Sequence, residues 1–393
     1  MLLLPIDQNH YFLKTLRCLL LLLAFWSCKQ ETKEKLPLSI PSEVVAIAHA
    51  KGFAINKSSE GITTIKITSP WPNAEAAFTY ALIPREKLAY ITLKKDEYDA
   101  IIATPIEKIV VTSTTHIPAL EALGVENTLI GFPNTEYISS EKTRNRIAKN
   151  QVQELGNNEV INTEMVIALQ PDVVVGFSID NRNKAYSTIQ NSNIPVVYNG
   201  DWTEETPLGK AEWIKFFAPF YHLEKKADSI FAAIKTNYDQ AKKLALKAKV
   251  KPSVLSGALY KDVWYLPGGK SWASNFISDA NADYLWKGSV ETGSLSLSLE
   301  SVLDTAKEAD FWISPSQYTS YKQLEDGNRH YTQFKAFNDR KIYTFANTTG
   351  ATGGLLYYEL ASNRPDLVLK DLIHIFHPEL LPGYKPFFFK PLE

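Results

Sequence analysis

The sequence predicts an α/β protein of two lobes, with mostly parallel sheets flanked by helices, joined by one long spanning helix and preceded by an extra β segment. Three observations predict it. From Lys108 onward, short apolar runs alternate with helical stretches, the rhythm of a parallel sheet fed by crossover helices. Between Lys210 and Lys249 little but helix is legible. Before Pro105 the pattern alternates with period two, as in half-buried strands.

The N-terminus sets the compartment. Lys14 and Arg17 precede an apolar run from Cys18 to Trp26. That run is too short for the roughly 20 residues of a membrane-spanning helix but suits the core of a signal peptide. Ser27-Cys28 at its end resembles a bacterial lipobox, so residues 1–27 are expected to be removed and Cys28 acylated. Residues 28–35 then read as a polar tether, and translation is expected to start near Leu13. With two cysteines in all, Cys18 and Cys28, processing leaves no thiol for a disulfide, a nucleophile or a metal.

Residues 36–105 form the β-rich extension, with strands expected at 62–67, 78–83 and 90–93. The first α/β lobe covers 106–209. It contains the strand Ile109-Val110-Val111, a helix from Ile117 to Leu123 ended by Gly124, a helix from Thr163 to Leu169, the strand Asp172 to Val175 and the strand Ile194 to Tyr198. The helical connector covers 210–249. There Ala227, Ile230, Phe231, Ile234, Tyr238, Ala241 and Ala245 recur as an amphipathic stripe, and residues 224–249 would span about 39 Å. The second lobe covers 250–393, with strands at 253–255, 263–266, 311–313 and 342–345 and helices at 271–279, 300–308 and 366–376.

Composition narrows the function. Forty-two Lys and Arg against 43 Asp and Glu leave a formal net charge of −1, so no basic surplus exists to neutralise a nucleic acid. Nineteen Tyr, 19 Phe and 8 Trp supply material for an aromatic-lined site. Motif searches return little. Gly269-Lys270-Ser271 matches the end of a phosphate loop, but its first glycine would fall at Trp264. Gly350-Ala351-Thr352-Gly353-Gly354 lacks dinucleotide-binding spacing and licenses only a close approach of backbone. The histidines show no metal spacing, and His374 and His377 read as a helix end. Tyr357-Tyr358 resembles the tyrosine pair of ferric-ion-binding proteins, yet adjacent helical residues point about 100° apart, which favours packing. No catalytic residue and no metal ligand emerges.

Three segments in order carry a resemblance. Lys108 to His116 with Leu120-Glu121-Ala122-Leu123-Gly124 resembles the first strand, ligand loop and helix of the cobalamin and iron-siderophore periplasmic binding proteins. Asn162 to Val174 is similar to that family's N-L-E-x-I-x-A-L-x-P-D-L-V segment, and Leu297 to Leu303 to its second-lobe L-S-x-E-x-L counterpart. The resemblance implies a monomeric two-lobed receptor, not an enzyme. It would capture a metal chelate in the cleft and deliver it to the permease subunits of an ABC importer, with no cofactor of its own. It also implies that Glu164 and Glu300 are acidic knobs, one per lobe, that meet arginines on the permease. The extension lies outside the family's basic pattern.

Ligands of open α/β sheets sit beyond the carboxyl ends of the strands. That rule nominates Thr114, Thr115 and His116, Ser178 to Asn181, Asp201 and Trp202 in the first lobe, and Trp264 with Pro267-Gly268-Gly269, Ser316 to Tyr318 and Asn347 to Thr349 in the second. Corrinoid or haem suits the aromatics better than a siderophore, since anionic siderophores ask for clustered Arg or Lys. The expected location is the bacterial cell envelope, facing the periplasm or the outer surface, with the lipid as the only membrane contact. The alternatives are a chelate-binding surface lipoprotein without a transporter and a chelatase-like enzyme on the same scaffold.

Overall fold

The computed structural model describes residues 41–393 apart from Thr92, Glu159, Asn181 and Arg182. The leader, the tether, Cys28 and Asn181 therefore lie outside the described residues.

The N-terminal sheet runs in chain order through Pro41–Val44, Phe53–Ser58, Thr63–Ile67, Phe78–Pro84 and Ala100–Thr104. The first four strands pair antiparallel, and the fifth lies parallel to the fourth. A parallel partner requires the chain to cross back over the sheet. The segment 90–93, expected as a strand, belongs to that crossover: Ile91 and Leu93 cover Ala81 and Ile83 on the outer face. The inner face puts Ile55, Ile65, Tyr80, Leu82 and Ile102 in one core with Ile109, Val111 and Leu120 of the first lobe. The extension and the first lobe thus share their hydrophobic interior.

In the first lobe the parallel sheet runs Val196–Tyr198, Val173–Gly176, Ile109–Val111, Leu129–Phe132, Gln153–Glu154. Helix His116–Leu123 stops at Gly124, whose φ of 71° suits a residue without a Cβ. Helices Thr163–Leu169 and Lys184–Asn191 begin at Asn162 and Asn183, whose side chains accept the N–H of Met165 and Tyr186.

The second lobe's main sheet runs Asp283–Tyr284, Ser253–Ser256, Phe311–Ile313, Ile342–Thr344, Lys390–Pro391, parallel except at the last strand. Val263–Pro267 is not in it. That strand is the middle of a separate antiparallel sheet, between Ala258–Tyr260 and Ser294–Leu297. The lobes keep parallel centres, while the sheets as a set are mixed.

The connector is helix Glu224–Ala245, about 33 Å long and shorter than the stretch to Lys249 that the sequence allowed. Its single apolar stripe serves two cores. Ala227, Phe231 and Ile234 are buried in the first lobe, and Tyr238, Ala241 and Ala245 in the second. The lobes meet again at the loop 350–354. A Cβ on Gly350 would lie 2.6 Å from Cα of Ser139, and one on Gly354 2.3 Å from the carbonyl oxygen of Tyr137. Ser139 Oγ donates to the Gly354 carbonyl at 2.9 Å. The close approach allowed by the sequence is therefore one between lobes.

Candidate functional site: an aromatic cleft with three walls

A cavity of about 830 Å³ opens between the lobes. Its first wall comes from the extension, through Lys51-Gly52 and the loop from Ser69 to Ala74. The second is the first-lobe turn from Trp202 to Thr206. The third belongs to the second lobe and carries Tyr260, Tyr265, Trp272, Tyr357 and Tyr358.

Trp202 sits in the 3-10 turn Asp201–Thr203, half-buried, with its ring edge-on to Phe177 at 5.4 Å. Buried Lys210 fixes this turn. Its ammonium donates to the carbonyls of Asp201 and Trp202 at 3.0 Å each and lies 5.1 Å above the Trp272 ring of the other lobe. Burial pushes the Lys210 pKa down to about 8, with Asp201 and Glu204 pulling the other way. One cation thus ties a first-lobe loop to a second-lobe aromatic.

Two buried carboxylates hold the extension against the turn. Glu204 accepts the N–H groups of Lys51 and Gly52 at 2.8 Å each and the Trp213 indole N–H at 3.0 Å. Glu212 accepts from Ala48, His49 and Ala50 and pairs with Lys215 at 3.1 Å. Burial alone would raise the Glu212 pKa, but the three backbone donors and Lys215 hold it below the usual range.

Of the residues nominated from sequence, Trp202, Pro267 and Ser316 line the cleft. Trp264 does not. It is fully buried in the second-lobe core, donates to the Ser256 carbonyl at 3.0 Å and lies 5.4 Å from the Trp312 ring. Successive strand residues face opposite sides, so its neighbour Tyr265, 43% exposed, reaches the cleft instead. His116 is also wholly buried, with its ring edge-on to Phe217 at 5.5 Å. Burial pushes its pKa down to about 4 against the opposing effects of Asp201 and Asn199, which leaves the imidazole neutral at pH 7.

Thr114 and Thr115 are half-buried where the lobes meet, and the Thr115 carbonyl accepts from Asn363 of the second lobe at 2.9 Å. Neither lines the cavity. Tyr318 packs edge-on against Tyr331 at 6.0 Å, while Ser316 of the same nominated segment faces the cleft together with Ser314. Tyr357 stacks on Phe345 at 4.4 Å, as a packing role predicts, yet both Tyr357 and Tyr358 form part of the wall. Trp272, directly after the helix-capping Ser271, and the whole extension wall went unnominated. Glu164 and Glu300 are exposed, each in the first turn of a short helix, Thr163–Leu169 and Leu299–Ala306. Among the described residues no group of three or more His, Cys, Asp or Glu side chains could hold a metal ion.

Residues 109–349 match the family described as periplasmic binding protein. An uncharacterized lipoprotein of Methanocaldococcus jannaschii is 28% identical over 298 residues, 74% of this chain and 69% of that one. A periplasmic haem-binding protein of Pseudomonas aeruginosa superposes with a TM-score of 0.56 at 17% identity, covering 73% of this chain and 98% of that one. A periplasmic vitamin B12-binding protein of Vibrio cholerae gives 0.51 at 12% identity, covering 71% and 99%. At these identities the two structures establish the fold. With its family match extending over most of both lobes, the chain belongs to the periplasmic binding protein family.

Proposed function

We propose that this protein is the solute receptor of an ABC importer, held at the cell envelope by a lipid on Cys28, and that it captures a metal chelate in the inter-lobe cleft. The observation that carries this reading is the cleft itself: an 830 Å³ space faced by Trp202, Trp272 and four tyrosines from opposite lobes. Flat ligands bury area on each ring face, and stacked aromatics add to that burial. The connector helix packs into the cores of both lobes, which suits a receptor whose walls face one ligand.

Charge ranks the chelates. The described residues that line the cleft include one cation, Lys51, against Glu204 and Glu205, and no arginine. A polyanionic ferric siderophore finds little to neutralise it there. A corrinoid, whose periphery carries neutral amides, fits best, and haem with its two carboxylates comes second. The test is titration calorimetry of the full chain with cyanocobalamin, haemin and a ferric tris-catecholate siderophore, backed by absorption spectra after gel filtration. Retention of cyanocobalamin or haemin by the protein supports the reading, and retention of none of the three rejects it.

A further inference from the structure

The extension lies outside the family match, yet it supplies one wall of the cleft. We propose that this wall contacts the ligand and decides which chelates are admitted, with Lys51 as the counter-charge for those that carry an exposed anionic group, as haem does; the proposal rests on the receptor reading above. The wall is built rather than draped. Trp71 is 8% exposed, edge-on to Phe78 at 5.7 Å and to Tyr198 at 5.3 Å, with a proline on either side. The Ser69 carbonyl accepts Thr203 Oγ1 at 3.1 Å and lies 2.2 Å from where a Cβ on Gly200 would stand, so only glycine allows the loop to seat against the Trp202 turn. With Glu204 clasping the N–H groups of Lys51 and Gly52, the extension and the first-lobe ligand turn form one body. A loop held this firmly binds without first having to be ordered, which makes it a selective surface.

Lys51 completes the case. Its side chain is 76% exposed and stands 3.8 Å from Glu205, a contact too long and too open to engage the ammonium fully. It is the cation among the described lining residues, and it comes from the extension. Its backbone bonds to Glu204 and Thr68 survive any change of side chain.

The experiment compares wild type, Lys51→Glu, Ala74→Trp and the control Lys66→Trp, which places the same indole at an exposed strand position away from the cleft. Each full chain is titrated calorimetrically with cyanocobalamin, haemin and a ferric tris-catecholate siderophore and melted by circular dichroism. Ala74→Trp should weaken whichever probe binds wild type by about tenfold or more, and Lys66→Trp should not. Lys51→Glu should weaken haemin about fivefold more than cyanocobalamin, because reversing a rim charge penalises the anionic ligand selectively. Wild-type affinities and ranking in both Lys51→Glu and Ala74→Trp overturn the proposal. Failure of every probe to bind wild type overturns the receptor reading, and this proposal with it.

Discussion

Glu359 of the second lobe accepts the backbone N–H of Ser140 of the first at 2.9 Å, and its other oxygen accepts that of Ser139. A carboxylate that is 2% exposed thus joins the lobes, with Glu121 of the first lobe close enough to repel it. Burial first, and Glu121 second, push its pKa from 4.5 to about 7 despite the two N–H donors.

A raised carboxyl pKa means that the folded state binds a proton more tightly than the unfolded chain does. Its contribution to stability is greatest below pH 4.5 and is lost as pH rises through about 7. Glu359→Gln removes that titration. Unfolding free energies of wild type and variant, from urea denaturation, should therefore diverge in the variant's favour between pH 5 and pH 8, by on the order of 2 kcal/mol. A difference between the two proteins that stays constant across this range refutes the assignment.

The same seam depends on two glycines. Gly354→Ala drives a methyl group into the Tyr137 carbonyl and Gly350→Ala drives one into the Ser139 backbone, and neither obstacle is a flexible side chain. Each should cost about 1–3 kcal/mol in urea denaturation, the usual penalty for overpacking. Gly288→Ala, with nothing within 4 Å and no positive φ, should be neutral. Equal effects at the three positions contradict a seam set by backbone contact.

Trp202, Trp264 and Trp272 should separate into two classes. Trp202→Ala and Trp272→Ala remove cleft walls and should weaken cyanocobalamin or haemin by more than about 1.4 kcal/mol, with little loss of folding stability. Trp264→Ala empties a site enclosed by Trp312, Tyr331 and Phe334 and should cost about 3–5 kcal/mol of stability. Calorimetry and chemical denaturation of all three decide it. Stability loss at Trp272 to match Trp264 reverses the classes.

That contrast shows where sequence reading stops. Helix Thr163–Leu169 and strand Phe311–Ile313 were legible because a capping Asn162 or a short apolar run settles them locally. Which face of Val263–Pro267 meets the cleft was not, because Trp264 and Tyr265 are both bulky aromatics and only the partner strands set the side. Alternation offered one clue: Leu266 shares a face with Trp264, and an apolar pair on one face of a strand favours the core. The extension wall depends on Ser69 meeting Gly200 across 131 positions of chain, and no local pattern announces such a contact.

Membrane attachment is predicted to rest on Cys28 alone. No helix among the described residues is long and apolar enough to cross a membrane. Cys28→Ser should move the protein from the detergent-extractable membrane fraction to the soluble one, since a single acylated terminus is then missing. Retention of the variant in membranes after normal leader cleavage contradicts the anchor.

Docking to the importer is predicted to run through Glu164 and Glu300. Each sits exposed in the first turn of a helix whose start is already capped by a neighbour, Asn162 or Ser298. The Glu300 carboxyl is held below the usual range by its own backbone N–H and by Ser298. Because Asn162 and Ser298 keep the helix starts intact, removing both glutamates should leave melting temperature and chelate affinity unchanged. Exposed charges of this kind steer association and register with a partner more than they stabilise a fold. Glu164→Ala combined with Glu300→Ala should therefore abolish chelate-dependent transport by the importer reconstituted in vesicles, and either single change should reduce it. Transport at the wild-type rate by the double variant, or a collapse of its melting temperature, shows that these carboxylates do not form the docking surface.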